Sequence, residues 1–344
     1  MSNASIRIEQ LMLPTYPEPG KEEMPLFSEH RVHQRSTGRP YPNKVTLEVN
    51  RERKIERSYT VVHLENEYLD VLVLPEIGGR IFAARDKVTD YDFFYRQHVI
   101  KPGLIGALGS WISGGVEFNW PYHHRPSGFL PCDFETEECG DGSVICWLSE
   151  HDPIDRMKGM VGIVLKPGCA YLETRVKLCN RTPVTKSFLW WENAAVPVNE
   201  SYQIFFPKDV TYVNFHYLDS RISYPIAGDA TFNGIDMATA RDISWHKNTK
   251  DATSYFACAS QYDFFGGYDH GLDCGVVHIG DHHVSPGKKM FTWAYNQLSQ
   301  TWENTLTDTP TTSPILHGWN PTKPRNFPST GIPFRRSARR TTRT

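Results

Sequence analysis

The run Tyr171-Leu172-Glu173-Thr174-Arg175-Val176-Lys177-Leu178 alternates between two faces directly after a Pro167-Gly168 turn, a period of two that no helix can satisfy. Short runs of the same kind recur along the chain. They lie at 59–64, 69–74, 80–84 after Gly78-Gly79, 144–148, 160–165, 188–196, 254–259, 274–279 and 289–294, with turn residues between them. Helix-period segments are nearly absent. With 25 Gly and 24 Pro spread over 344 residues, the chain is bound to many short strands rather than a few long helices. The expected architecture is one large, mainly antiparallel all-β domain without internal repeats. Gly-Gly pairs at 78, 114 and 266 lack the strand, GxGxxG and helix context of a nucleotide loop, so no cofactor is implied.

Thirty-seven Lys and Arg against 39 Asp and Glu leave a formal charge of -2, which offers no global field for nucleic acid or an anionic membrane. Seven cysteines, Cys132, Cys139, Cys146, Cys169, Cys179, Cys258 and Cys274, lack paired CxxC spacing and read as thiols in a reducing compartment. No apolar run reaches bilayer length and no charged-then-apolar leader is present, so a cytoplasmic location without membrane contact is expected. Residues 1–43 read as an N-terminal lead-in segment that wraps a domain, 44–308 as the domain, and 309–344 as a Pro- and Arg-rich tail unable to build a core and expected to be disordered. Whether the chain forms a homo-oligomer is left open.

Three stretches carry chemistry. Residues 113–126 place Glu117, Asn119, Trp120, His123, His124 and Arg125 within one short segment, a costly composition for a surface loop and a suitable one for a pocket taking a polar ligand. Residues 268–283 add Asp269, His278, Asp281, His282 and His283. The apolar run at 188–196 carries Glu192 beside Trp191 and Asn193, and a carboxylate there is expensive unless paired or presented to a ligand. Aromatic platforms with a few acids, amides and imidazoles suggest a carbohydrate. His123 or His124, Glu117 and Glu192 are the candidate catalytic groups, because an imidazole titrates near neutrality and carboxylates serve as acid or base. A glycosidase would hold two carboxyl groups about 5–5.5 Å apart for retention or about 6.5–9.5 Å apart for inversion. Arg125, Asn119, Trp120, Trp191, Asp269, His278, Asp281 and His282 are the candidate ligand-binding residues, with Trp190 and Trp293 as further stacking surfaces.

Each reading has a plainer counterpart. Adjacent histidines on an extended chain diverge, so one of His123 and His124 would be packed or solvated. Glu117 could instead satisfy Arg125 or backbone donors, and the tryptophans could be core. His278, Asp281, His282 and His283 could hold a metal, but their spacing matches no recognised ligand motif, and no metal is expected. Lys288-Lys289, after Pro286-Gly287, reads as a turn with a solvated charge pair.

Gly78-Gly79-Arg80-Ile81, Trp111-Ile112-Ser113-Gly114-Gly115-Val116-Glu117-Phe118-Asn119-Trp120-Pro121 and His282-His283-Val284-Ser285-Pro286-Gly287-Lys288-Lys289 together resemble an uncharacterised bacterial domain family, DUF5107-like, over roughly residues 44–308. The resemblance implies a galactose-mutarotase-like β-supersandwich of large antiparallel sheets, often placed ahead of tetratricopeptide repeats. It implies a carbohydrate-active or carbohydrate-binding domain, distantly similar to aldose 1-epimerases, which use a histidine acid and a glutamate base near the concave sheet. His123 or His124 resembles such a histidine. The family continues past Asp308 with a strand carrying a Tyr-Ile-Glu-Leu-like motif, whereas this chain reads Thr309-Pro310-Thr311-Thr312-Ser313-Pro314. By resemblance, that departure implies a polypeptide that binds a ligand but lacks the usual general base. The alternatives are a non-catalytic carbohydrate-binding module and a structural or protein-interaction domain whose aromatic cluster is core.

Overall fold

The computed structural model describes residues 4–18, 50, 52–105, 109–121, 125, 127–153, 155–186, 188, 190–215, 221–232, 234–250, 253–292, 306–313, 325–326 and 331–332. Its framework is a twelve-stranded antiparallel sheet. From one edge the strands are Ser5–Thr15, Ile55–Glu65, Leu69–Leu74, Arg80–Asp86, Val116–Asn119, Trp190–Pro197, Leu306–Ser313, Lys289–Thr292, Thr253–Ala257, Tyr212–Phe215 and Arg221–Ser223, with Tyr91–Asp92 paired beside Arg80–Asp86. A six-stranded sheet holds Asp133–Glu138, Val144–His151, Met157–Leu165 and Leu172–Asn180, with the short strands Arg325–Asn326 and Gly331–Ile332 against the last of these. Tyr202–Phe205, Phe264–Asp269 and Cys274–Ile279 make a third, three-stranded sheet. The expected all-β supersandwich is thus the observed one. Among the described residues the sole helical turn is His246–Asn248, and no helix is long and apolar enough to cross a membrane.

The main core lies between the two larger sheets. Val62, Leu64, Val71, Ile81, Val116 and Phe118 meet Cys146, Leu148, Val161, Ile163 and Leu172 there. Full burial of a side chain of this size contributes roughly 1.5–3 kcal/mol, which makes this interface the dominant stabilising layer. The large sheet is also covered on its other face, where Tyr59, Val61, Leu74 and Phe82 pack with Ile100 and Ile112. Burial on both faces explains why the sequence here reads as near-continuous apolar runs rather than strict alternation.

Two segments extend beyond the sequence reading. Ser5–Thr15, within the lead-in segment, is a full edge strand, paired residue for residue with Ile55–Glu65 from Ser5 opposite Glu65 to Thr15 opposite Ile55. Its charged and proline-containing pattern suits an edge, and at its end a short parallel bridge to Ile100, whose N–H donates to the Pro14 carbonyl at 2.8 Å, covers the outer side. Leu306–Ser313 lies between Trp190–Pro197 and Lys289–Thr292 and runs across position 308. The start of the expected domain, residues 44–49, lies outside the described residues.

Candidate functional site

Val116–Asn119 and Trp190–Pro197 are neighbours in the large sheet, with Asn193 opposite Glu117 and Trp191 opposite Asn119. Residues facing each other across an antiparallel pair share a face, so these four side chains project together. Glu117 is the hub. Its Oε1 accepts a hydrogen bond from Asn193 Nδ2 at 2.7 Å, and its Oε2 accepts one from Trp111 Nε1 at 3.1 Å. Arg80 Nη2 lies 3.5 Å from Oε2, while Arg80 Nη1 donates to the carbonyls of Ile112 and Gly114 at 2.9 and 3.2 Å. Arg80 is only 2% exposed, so the carboxylate beside it is required to offset a buried guanidinium. Gly115, at φ +65°, permits the tight entry into this strand; a Cβ there would sit 1.9 Å from the Ile81 carbonyl oxygen.

The same face carries two amides with spare capacity. Asn119 Oδ1 accepts the Arg125 backbone N–H at 2.9 Å, which leaves Nδ2 as its remaining donor. Asn193 spends Nδ2 on Glu117, which leaves Oδ1 as its acceptor. Asn119 Nδ2 and Asn193 Oδ1 are both buried and have no hydrogen-bond partner among the described residues. Such groups are costly unless a ligand or water completes them. Trp191 flanks them, with the Lys289 ammonium 5.0 Å from its ring centroid and 5.1 Å from that of Phe256. Tyr95 covers the neighbouring Ala195, its backbone N–H bonded to the Ala195 carbonyl at 2.9 Å.

Glu192 points the other way. Opposite Phe118 in the register, it enters the layer between the two large sheets, where Thr174 Oγ1 lies 3.4 Å from its Oε2. Burial raises its pKa to about 8, only partly countered by the Thr174 hydroxyl. The structure therefore does not bring Glu117 and Glu192 to a common site. Trp120 lies on the inner side too, clustered with Met157, Val176, Leu178 and Phe188, and Trp190 stacks on Phe118 with centroids 6.2 Å apart. Arg125 bonds the Gly78 carbonyl and Glu150 rather than Glu117. Glu117 is instead satisfied by Arg80, Asn193 and Trp111.

The late residues form a separate group. Asp269 is a turn organiser: its carboxylate accepts from Asn199 Nδ2 at 2.6 Å and from the N–H groups of Gly271 and Leu272 at 2.8 and 3.1 Å. His278 packs its ring edge-on against Phe265, and burial drives its pKa down to about 3, so it stands neutral. Asp281, His282 and His283 share one turn. His123, His124 and Trp293 lie outside the described residues.

Asn193, Trp111 and Lys289 belong to the face although none of them was among the candidate site residues read from the sequence. The expected solvated pair Lys288-Lys289 is corrected: the two side chains are 3% and 7% exposed. Lys289 opens a strand and lays its ammonium over aromatic rings, so its alkyl stem is buried with them. The signal was available in the alternation of Lys289 with Phe291, which puts both on the Trp191 side.

Residues 37–314 match the family described as a domain of unknown function, DUF5107. The chain belongs to DUF5107. Among solved structures this DUF5107 chain is similar to a TPR-domain-containing protein from Parabacteroides distasonis, with a TM-score of 0.78 and 21% identity over 96% of this chain and 55% of that one. The chain thus spans about half the length of that protein. It is also similar to Slr1438 from Synechocystis sp. PCC 6803, with a TM-score of 0.51 and 9% identity over 73% of this chain and 85% of the other. A galactose mutarotase related enzyme from Lactobacillus acidophilus gives a TM-score of 0.51 and 14% identity over 79% and 95% of the two chains. At these identities the likeness is one of fold, and the fold of this DUF5107 domain is the galactose-mutarotase-like β-sandwich.

Proposed function

We propose that the face carrying Glu117, Asn119, Trp191 and Asn193 binds a carbohydrate. The observation that carries this reading is the pair of buried amide atoms, Asn119 Nδ2 and Asn193 Oδ1, one donor and one acceptor without partners among the described residues, beside a carboxylate and an indole. A donor and an acceptor set against an aromatic surface suit vicinal hydroxyl groups on a ring with an apolar face. The fold shared with a galactose mutarotase related enzyme supports the same class of ligand.

Binding without turnover is favoured over catalysis by one arrangement. Glu117 is held by Asn193, Trp111 and Arg80, and the buried carboxyl of Glu192 lies on the opposite side of the sheet, so these two do not make an acid–base pair across one site. Proton transfer at an anomeric centre would fall to His123 or His124, which follow Trp120 closely in sequence. Calorimetry against free sugars and short oligosaccharides, with NMR exchange spectroscopy on the same samples, tests both. Saturable binding lost in Asn193→Ala supports the site. Anomeric exchange above the protein-free rate, lost in His123→Ala or His124→Ala, would replace the binding module with an epimerase, and no binding to any sugar would sink the reading.

A further inference from the structure

Asp281, His282 and His283 occupy one turn between Cys274–Ile279 and Lys289–Thr292, and one donor atom from each lies within 4.8 Å of the other two. The turn is preformed. The Val284 and Ser285 N–H groups donate to the Asp281 carbonyl at 3.0 and 2.8 Å, and the His283 N–H donates to Asp281 Oδ1 at 2.9 Å. Asp263, just ahead of Phe264–Asp269, pins the turn from outside: its carbonyl accepts Gly280 N–H at 2.8 Å, and its Oδ1 accepts the His282 N–H at 2.9 Å. His282 Nδ1 lies 2.6 Å from the same Oδ1.

That last contact fixes the chemistry of the imidazole. With Nδ1 donating to a carboxylate, Nε2 keeps its lone pair and the ring is held in one orientation, the arrangement found behind metal-bound histidines. The His283 ring is tilted against it, centroids 3.9 Å apart, and Asp281 supplies an oxygen. We propose that Asp281, His282 and His283 bind a divalent transition ion of the zinc type, with Asp263 orienting His282 and water completing the shell. Two imidazoles and one carboxylate are a normal donor set for zinc, and ligand bonds of about 2.0–2.2 Å call for donors roughly 3.3–3.6 Å apart. Asp281 and His283 are exposed, so rotation of their side chains can close the remaining distance. The spacing was silent in the sequence because the orienting carboxylate arrives from another segment. A bound ion would tie this turn down immediately before the strand that bears Lys289 and Phe291.

The test is titration of the metal-stripped full chain with zinc chloride in a non-coordinating buffer near neutral pH, followed by heat and by thermal unfolding. One tight equivalent with a raised melting temperature is expected. It should disappear in His283→Ala and in Asp281→Asn, weaken about 10–100-fold in Asp263→Asn, and persist in His151→Ala, a control at an exposed position. Uptake that is absent, or unchanged in His283→Ala, would overturn the proposal. Cobalt in place of zinc gives an independent reading on the unsubstituted chain: visible absorption of four-coordinate intensity supports the site, and a hexaaqua-like spectrum at saturating cobalt refutes it.

Discussion

Glu117 and Glu192 sit one register step apart on paired strands and on opposite faces of the same sheet, because Glu117 is opposite Asn193 while Glu192 is opposite Phe118. The first is clasped by Arg80, Asn193 and Trp111. The second lies between two sheets with a threonine hydroxyl for company. One sheet thereby gives two carboxyl groups opposite electrostatic fates, and the consequences can be measured.

Glu192 stays protonated in the folded chain up to about pH 8, whereas unfolding returns it to its ordinary value of 4.5. Between those values the folded state holds more protons, so its contribution makes stability fall as pH rises and level off above about pH 8. Buried His278 and His246, lowered to about 3 and 4, slope the other way and finish by their ordinary value of 6.5. From pH 6.5 to about pH 8.5 the Glu192 contribution should therefore cost roughly 2 kcal/mol. Urea unfolding across that interval should show the loss in the parent chain and its absence in Glu192→Gln.

Removing the Glu117 carboxylate strands a guanidinium that is 2% exposed. Glu117→Ala should destabilise by about 3–5 kcal/mol, the usual penalty for breaking a buried pair from one side. Arg80→Met combined with Glu117→Ala should recover part of that loss. A double-mutant cycle by denaturant unfolding reads both values, and strictly additive losses would contradict the coupling.

Trp120 lies where the side chain of residue 159 would be: a Cβ on Gly159 would meet Trp120 Cε2 at 2.2 Å. Gly159→Ala should displace the indole and cost about 1–3 kcal/mol through overpacking. A lowered melting temperature with a red shift in tryptophan emission is the expected signature.

Asn66 uses its whole amide. Nδ2 donates to the Lys166 and Cys169 carbonyls at 2.7 and 2.9 Å, and Oδ1 accepts the Tyr68 and Leu69 N–H groups at 2.9 and 2.8 Å. It thus fastens a turn of the large sheet to the loop ahead of Leu172–Asn180. Asn66→Ala should cost roughly 2–4 kcal/mol, since several partners lose their bonds at once. Asn66→Asp should fare no better, because a carboxylate cannot donate to the two carbonyls; chemical denaturation of both variants checks the pair.

The strands at 69–74 and 274–279 were legible to the residue because apolar alternation and flanking turns agreed there. Asp133–Glu138 was not, since a strand at the edge of the six-stranded sheet needs little apolar pattern and carries four carboxylates. Phe264–Asp269 was hidden by Gly266 and Gly267, yet a Cβ at these positions would strike the Val276 carbonyl oxygen and the Tyr202 hydroxyl. For the candidate site, composition singled out residues 113–126, with Glu117 and Asn119 among them, as costly for a surface loop. It could not show which of Glu192 and Asn193 would face them, because that depends on register between segments far apart in the chain.

The hydrogen bond from Asn193 to Glu117 joins residues 76 positions apart. Closing so long a span adds little to the equilibrium cost, because loop entropy grows only with the logarithm of length, but it delays assembly. The polar cluster on this face consequently has no local precursor: a nascent chain that has reached Asn119 holds a carboxylate and a guanidinium in search of their amide. Refolding followed at Trp111, whose indole reports on the same carboxylate, should register completion of this face with the slow, long-range phase and not with early hairpin formation.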